Sequence, residues 1–425
     1  MNGSKDDNIR RKSFCAIVLL ALVFSTEALS LNPVKIASEI GHILKAISMG
    51  HRQYFTQNTV LSTPELIRAA GYPAESHTVI TDDGYFLTIH RIPGNASSEV
   101  VFLQHGLLSS SADWIFPGKN KSLAFILADK GYDVWLGNFR GNTYSRAHTK
   151  LPVSSKEYWD FSWHEHGIYD LPCMISYVAQ LRNQSLTAYI GHSMGTTSFY
   201  VMASEGLNAT KLVQSMYSLA PVGFMSHLKS PLRYLAPFGK EFKILIDLIG
   251  DGEFLPQTSF LRFLAHHGCD ADQFQEKVCA NSVFILFGFD KSEFNYTLIP
   301  EILDHTPAGT SSKTVIHYTQ EIESARFRQY DYGEHKNMEV YNSIEPPDYN
   351  LSRISVPMTF FYAKNDWLAS PIDVVQLSRE VGSKVNMNKI PYPKFTHLDF
   401  LWAIDAPKMI YKRLLFLIQE QSRQN

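Results

Sequence analysis

Among 425 residues there are only four cysteines, no clear excess of charge of either sign, and no uncharged apolar run as long as a membrane span. Each scarcity excludes something. A formal net charge of -2 gives no electrostatic ground for binding nucleic acid, because neutralising phosphates takes a Lys/Arg excess or patch. The apolar run from Phe14 to Phe24 is about half of the ~20 residues that a spanning helix needs, so no permanent membrane span is expected. Charged residues make up 19% of the chain against 45% hydrophobic, which excludes a disordered polymer. The apolar content suffices for one large domain with a substantial insertion, or for two ordinary domains.

That apolar run follows Lys5, Arg10, Arg11 and Lys12 and precedes the small and polar Ser25, Thr26, Ala28 and Ser30. This is the order of a secretory signal peptide, assigned to residues 1–30 with cleavage near Ala28 or Ser30. The product is then expected outside the cell or in the lysosomal lumen, where disulfides are permitted. Cys15 leaves with the signal. Of the rest, Cys269 and Cys279 are close enough in sequence to close a short loop, whereas Cys173 sits in the apolar stretch Leu171-Pro172-Cys173-Met174-Ile175. One disulfide and one buried thiol are expected, with three free cysteines as the alternative. Asn95, Asn120, Asn183, Asn208, Asn295 and Asn350 each have Ser or Thr two residues on, which together with the signal predicts a glycoprotein.

From Ser76 to Ile92 a β-rich segment is broken by Asp82-Asp83-Gly84, and Asp-Gly supplies the positive φ of a tight hairpin. Beyond it, apolar runs at Val100 to Leu103, Asp133 to Leu136, Thr187 to Ile190, Leu212 to Leu219 and Met358 to Tyr362 are each followed by a loop and a helical stretch. Strands alternating with helices predict an α/β fold with a mostly parallel sheet flanked by helices. The alternation fails between about Val222 and Val356, too long a gap for a loop. The expected organisation is a first part of the core at 31–221, an inserted subdomain at 222–356, and a second part of the core at 357–425. Within the insert, Phe242, Leu245, Ile246 and Ile249 form a helical apolar stripe, and Phe284 to Phe289 is a second apolar run. Such stripes serve either to pack the insert or to line a route for an apolar substrate.

The strongest chemical signal is Gly191-His192-Ser193-Met194-Gly195, between an apolar strand and a helical stretch. In this context it reads as a nucleophile elbow, whose strained turn lifts the serine hydroxyl out of the backbone. A serine hydroxyl needs a base to take its proton, normally an imidazole oriented by a carboxylate, and in this fold class the order is Ser, acid, His. Of 16 histidines only His397 follows the strand Met358 to Tyr362. The acid must fall between, and Asp366 directly follows that strand, whereas Asp373 and Glu380 belong to the next helical stretch and are expected to be solvated. The oxyanion requires two backbone N–H donors, assigned to Met194 after the nucleophile and to Leu107 in the loop Gln104-His105-Gly106-Leu107-Leu108, with His105 as scaffolding. His164-Glu165-His166 and His266-His267 lack the i, i+4 spacing of a helical zinc site, so no metal and no cofactor are expected. Asn138 to Asn142 and Asp160 are expected to fix loops near the site.

Several blocks in this order resemble the acid lipase family, which contains gastric and lysosomal acid lipases and insect lipases. The resemblance runs from about Thr63 to the C-terminus. Its blocks are Gly71-Tyr72-Pro73, Asp83-Gly84-Tyr85, His105-Gly106-Leu107-Leu108, Asn138 to Asn142 with Tyr144-Ser145-Arg146, Tyr158 to Glu165, Asn365-Asp366-Trp367 and His397 to Trp402. It implies an α/β-hydrolase fold with a helical cap and lid, a triad at Ser193, Asp366 and His397, and hydrolysis of triacylglycerols or cholesteryl esters at a lipid-water interface. It also implies a cap disulfide between Cys269 and Cys279. Met194 departs from the family's usual glutamine at that position, but a backbone donor survives the change. Acyl transfer to an alcohol keeps the same triad and stays open; a lipid-binding protein on a hydrolase scaffold would need no intact triad.

Overall fold

A hairpin opens the central sheet: β1 (Glu75–Ile80) and β2 (Tyr85–Ile92) pair antiparallel across the Asp-Gly turn. The structure is a computed structural model that describes residues 60–234, 252–255, 287–288 and 290–424. The expected signal segment 1–30, the Phe242 to Ile249 stripe, most of the Phe284 to Phe289 run, His266-His267, Cys269 and Cys279 lie outside the described residues.

The next strands are β3 (Val100–Gln104), β4 (Asp133–Gly137), the two-residue β5 (Ala147–His148), β6 (Ala188–His192) and β7 (Met216–Leu219). Two further two-residue strands, β8 (Glu253–Phe254) and β9 (Thr310–Ser311), pair only with each other. The main sheet then resumes with β10 (Met358–Tyr362) and β11 (Val385–Lys389). Its order is β1-β2-β4-β3-β6-β7-β10-β11, with β5 alongside β2. All neighbours from β4 to β11 are parallel.

Every residue of β3, β4, β6 and β7 is buried. Helices cover both faces of a parallel sheet, which is why these strands carry mostly apolar runs, as in Val100-Val101-Phe102-Leu103, rather than alternating. Leu212 falls in a 3-10 turn (Asn208–Leu212), so the expected strand from Leu212 is shorter and begins at Met216. β11 was not among the expected strands: it pairs only with β10 at the edge of the sheet, and no residue of its Val385-Asn386-Met387-Asn388-Lys389 is fully buried, so it carries no continuous apolar run.

β7 and β10 are neighbours in the sheet, yet far apart in the chain. Between them the described residues form the β8/β9 pair and helices Ile299–His305, Ser312–Ser324 and Glu334–Tyr341. Because the strands run parallel, the C-terminal ends of β3, β6, β10 and β11 share one edge, where crevices form in open α/β sheets. Gln104, His192, Tyr362 and Lys389 end these strands and deliver the loops that carry the candidate residues.

Candidate active site

Ser193 lies between β6 and the helix Met194–Ser204, at φ 51° and ψ -119°. A non-glycine residue rarely takes a positive φ, and a serine held there is strained backbone. The surroundings hold the turn in place. The Ser193 N–H donates to the Leu219 carbonyl at 3.1 Å, and its own carbonyl accepts from the Thr196 N–H and Oγ1 at 2.8 and 2.6 Å. The flanking glycines are required by close approach: a Cβ on Gly191 would lie 2.8 Å from the Gly195 carbonyl carbon, and one on Gly195 would collide with the Gln104 carbonyl.

Asp366 follows β10 and is fully buried. Its Oδ1 accepts the backbone N–H groups of Leu368 at 2.9 Å and Ala369 at 2.8 Å. Nδ1 of His397 lies 3.0 Å from Oδ1 and 2.9 Å from Oδ2. A carboxylate oxygen accepts, so this contact turns Nδ1 toward Asp366 and leaves Nε2 on the far side of the ring. His397 is also held through its backbone: its N–H donates to the Phe287 carbonyl at 3.5 Å, and its carbonyl accepts from Nε2 of His192 at 3.0 Å.

The loop after β3 closes on the elbow. A Cβ on Gly106 would stand 3.1 Å from the Ser193 Cβ, so this peptide passes directly beside the serine. Among the described residues no protein acceptor takes the N–H of Leu107 or of Met194. Leu108 has φ 58°, and its carbonyl accepts the Ala308 N–H at 2.7 Å. His105 fixes the loop from behind: Nε2 accepts the Phe139 N–H at 3.1 Å, which leaves Nδ1 to donate to the Gly106 carbonyl at 2.8 Å. Burial pushes its pKa down to about 4, so the ring is neutral and keeps this tautomer.

Asn138 to Asn142 form a buried polar knot. Asn138 Oδ1 accepts the Ser111 N–H at 2.9 Å, and Asn142 Nδ2 reaches Asn138 Oδ1 at 3.0 Å. Arg140, 1% exposed, bonds Asp170 through Nε at 2.7 Å and Asp83 through Nη1 at 2.5 Å, with its guanidinium 3.9 Å from the Tyr85 ring centroid. Its partners come from the hairpin turn and from a helix start far along the chain. No local spacing reveals that three-way pairing. Asp160 pairs with Lys313 at 2.9 Å.

Asp373 corrects the expectation of solvation: it is buried, with Oδ1 2.7 Å from His227 Nδ1 and 3.1 Å from Ser226 Oγ, and Oδ2 2.9 Å from the His227 N–H. The burial follows from its position near the start of the helix Pro371–Glu380, on the face that meets the segment after β7. Glu380 is exposed. Cys173 is half-buried rather than buried; it is a free thiol donating to the Ile80 carbonyl, and burial pushes its pKa up to about 12. His164 Nδ1 meets the Tyr349 hydroxyl at 2.7 Å, and His166 stacks on Phe139 at 4.3 Å. Asn95, Asn120, Asn183, Asn208 and Asn350 are exposed, whereas Asn295 is half-buried and its Oδ1 accepts from Thr297 N and Oγ1.

Two features escaped sequence reasoning. His192 lies inside the elbow motif but has no role in the pattern. Asp113 is buried, bonded to Ser109 Oγ and, at 3.3 Å, to Thr306 Oγ1, which ties the loop after β3 to the segment after the helix Ile299–His305.

The chain matches two family models: a partial alpha/beta-hydrolase lipase region over residues 63–118 and an alpha/beta hydrolase fold over 99–243. It is 41% identical over 362 residues to Lipase 3 of Drosophila melanogaster, covering 84% of this chain and 92% of that protein. It is 38% identical over 372 residues to the gastric triacylglycerol lipase of Homo sapiens, covering 85% and 92%. It is likewise 38% identical over 370 residues to the lysosomal acid lipase/cholesteryl ester hydrolase of Homo sapiens, covering 85% and 92%. A buried Asp–His pair and a serine in a strained elbow, on a sheet of this order and with relatives of this similarity, make the chain a member of the α/β-hydrolase acid lipase family of gastric, lysosomal and insect lipases.

Proposed function

We propose that this protein is a lipase of the secretory pathway that hydrolyses carboxylic esters of lipids, triacylglycerols or cholesteryl esters, at a lipid-water interface. Ser193 is the nucleophile, His397 the general base and Asp366 the group that orients it. The observation that carries the reading is the Asp366–His397 pair at 2.9 Å, buried on the same sheet edge as the strained Ser193. His397 Nε2 takes the hydroxyl proton as Oγ attacks the ester carbonyl carbon. The oxygen that becomes negative is stabilised by the N–H groups of Leu107 and Met194. Collapse expels the alcohol, which receives the proton from Nε2, and leaves an acyl-serine; water, deprotonated by the same imidazole, releases the fatty acid.

The insert from 222 to 356 is a cap whose apolar inner surface binds acyl chains, at roughly 0.8 kcal/mol per buried methylene. It leaves the sheet at the end of β7, on the edge that carries Ser193, and its segment at Ala308 bonds the loop after β3. Cys269 and Cys279 form its disulfide. The exposed sequons at Asn95, Asn120, Asn183, Asn208 and Asn350 accept glycans, and half-buried Asn295 is a sixth acceptor.

The deciding experiment labels the secreted protein with a fluorophosphonate and follows hydrolysis of a series of esters from acetate to long-chain acyl, in solution and as emulsion. Labelling confined to Ser193 and a preference for emulsified long chains are expected. An acetate-favouring profile would reduce the protein to a general esterase, and absence of labelling would remove the serine mechanism.

A further inference from the structure

His192 ends β6, where its backbone pairs with Leu219 of β7, and its side chain is 3% exposed. The ring occupies the space between two loops. Nδ1 would lie 3.2 Å from a Cβ on Gly106 in the loop after β3, and Nε2 lies 3.0 Å from the carbonyl oxygen of His397. The two imidazoles are tilted 50° to each other with centroids 5.0 Å apart. A carbonyl oxygen only accepts, so Nε2 must carry the proton and donate it. Burial, helped by the neighbouring His397 and His105, pushes the His192 ring down to about 3, and it stays neutral at mildly acidic as well as neutral pH.

His397 needs such a tether. It sits on a loop, whereas Ser193 sits at the end of a fully buried central strand. Asp366 grips only Nδ1 of the ring, and the Phe287 carbonyl accepts the His397 N–H at the long distance of 3.5 Å. The short bond to the His397 backbone comes from the residue immediately before the nucleophile, so base and nucleophile share one anchor in the sheet.

We propose that His192 is a positioning residue for the hydrolysis: its Nε2–H fixes the backbone of His397 and holds the imidazole in register with Ser193. The inference rests on the catalytic assignment of Ser193, Asp366 and His397 made above.

The test compares His192→Gln with His192→Met, side chains of nearly the same shape of which only Gln carries an N–H donor. His192→Phe keeps an aromatic ring without a donor. Rates on a soluble short-chain ester are referred to the folded fraction measured by denaturation. His192→Met and His192→Phe are expected to lose kcat by about 10-fold or more, as a misplaced base does, with KM unchanged within about 2-fold. The rate of fluorophosphonate labelling should fall in parallel, and His192→Gln should retain at least about 10-fold more kcat than His192→Met. A Gln variant no better than Met overturns the proposal, whether both are active or both impaired. Persistent activity in Ser193→Ala or His397→Ala would instead sink the catalytic assignment, whatever the His192 pair does.

Discussion

The carbonyl of Leu108 accepts the N–H of Ala308 at 2.7 Å, and thereby a residue of the segment after the helix Ile299–His305 braces the loop that passes beside Ser193. Thr143 N donates back to the Ala308 carbonyl at 2.9 Å, and Thr306 Oγ1 reaches Asp113 at 3.3 Å. Asp113 is a titratable member of this junction: burial pushes it up to about 6, against the opposing pull of Ser109 and His305. A carboxyl whose pKa is raised on folding contributes stability that is fully present below its ordinary value of 3.8 and is lost as pH rises through about 6. His90 and His105, pushed down to about 4 by burial, act in the opposite sense and lose their contribution as pH falls, so the profile of the whole protein mixes the two. The readable quantity is therefore a difference. Between about pH 5 and pH 8, Asp113→Asn should lose less stability than the parent, measured by urea midpoints at both pH values. Equal losses would place the titration elsewhere.

Ser193→Ala, Asp366→Asn and His397→Ala should each remove nearly all esterase activity at unchanged secreted yield. Members of such a unit are strongly non-additive, because once one is gone the others have nothing left to assist. Double variants should therefore lie close to the worse single variant. A double variant that loses as many decades as the two single variants combined would show that the residues act separately.

Asp373 is the carboxylate to compare. It accepts two hydrogen bonds from His227 and one from Ser226 and is 1% exposed. Asp373→Asn removes a charged acceptor and should cost about 1–3 kcal/mol of stability, while kcat per folded molecule stays near that of the parent. A denaturation curve and a rate referred to folded enzyme separate the two effects. Loss of kcat on the scale of Asp366→Asn would mean that the acid had been assigned to the wrong residue.

The fully buried strands were legible because burial on both faces writes an unbroken apolar run, as in Val100-Val101-Phe102-Leu103. The hairpin was legible from Asp83-Gly84, with Gly84 at φ 99°. The elbow was legible from strand, glycine pair and helix together, and the chain order then singled out Asp366 and His397, which the structure brings within hydrogen-bond distance. What stayed illegible depends on partners distant in sequence. Asp373 reads as an outward residue of a helix and is buried only because the segment at Ser226 and His227 folds over it. Arg140 reads as a loop residue until Asp83 and Asp170 arrive from both sides. β11 carries no continuous apolar run, since none of its residues is fully buried.

Gly195 offers the sharpest steric test of the elbow. A Cβ there would collide with the carbonyl oxygen of Gln104 and stand 2.9 Å from that of His105, and both obstacles are backbone of the strand and loop that form the other wall of the site. Neither can rotate away. Gly195→Ala must therefore push the helix Met194–Ser204 from β3, which separates Ser193 and the Met194 N–H from the Leu107 N–H across the site. Overpacking of this kind costs about 1–3 kcal/mol in stability. The displacement should also cost activity out of proportion, since about 1 Å of misplacement can lower a rate by roughly 100-fold. Gly206→Ala is the control: it lies just beyond the same helix at φ 70° with nothing within 4 Å, so it bears backbone strain but no collision. It should lower stability by about 1 kcal/mol and leave kcat per folded molecule unchanged. Both variants are measured by urea denaturation and by hydrolysis of a soluble ester. If Gly195→Ala kept parental kcat while losing only stability, the distance between elbow and loop would not set the rate, and the two N–H groups would not be acting as a pair.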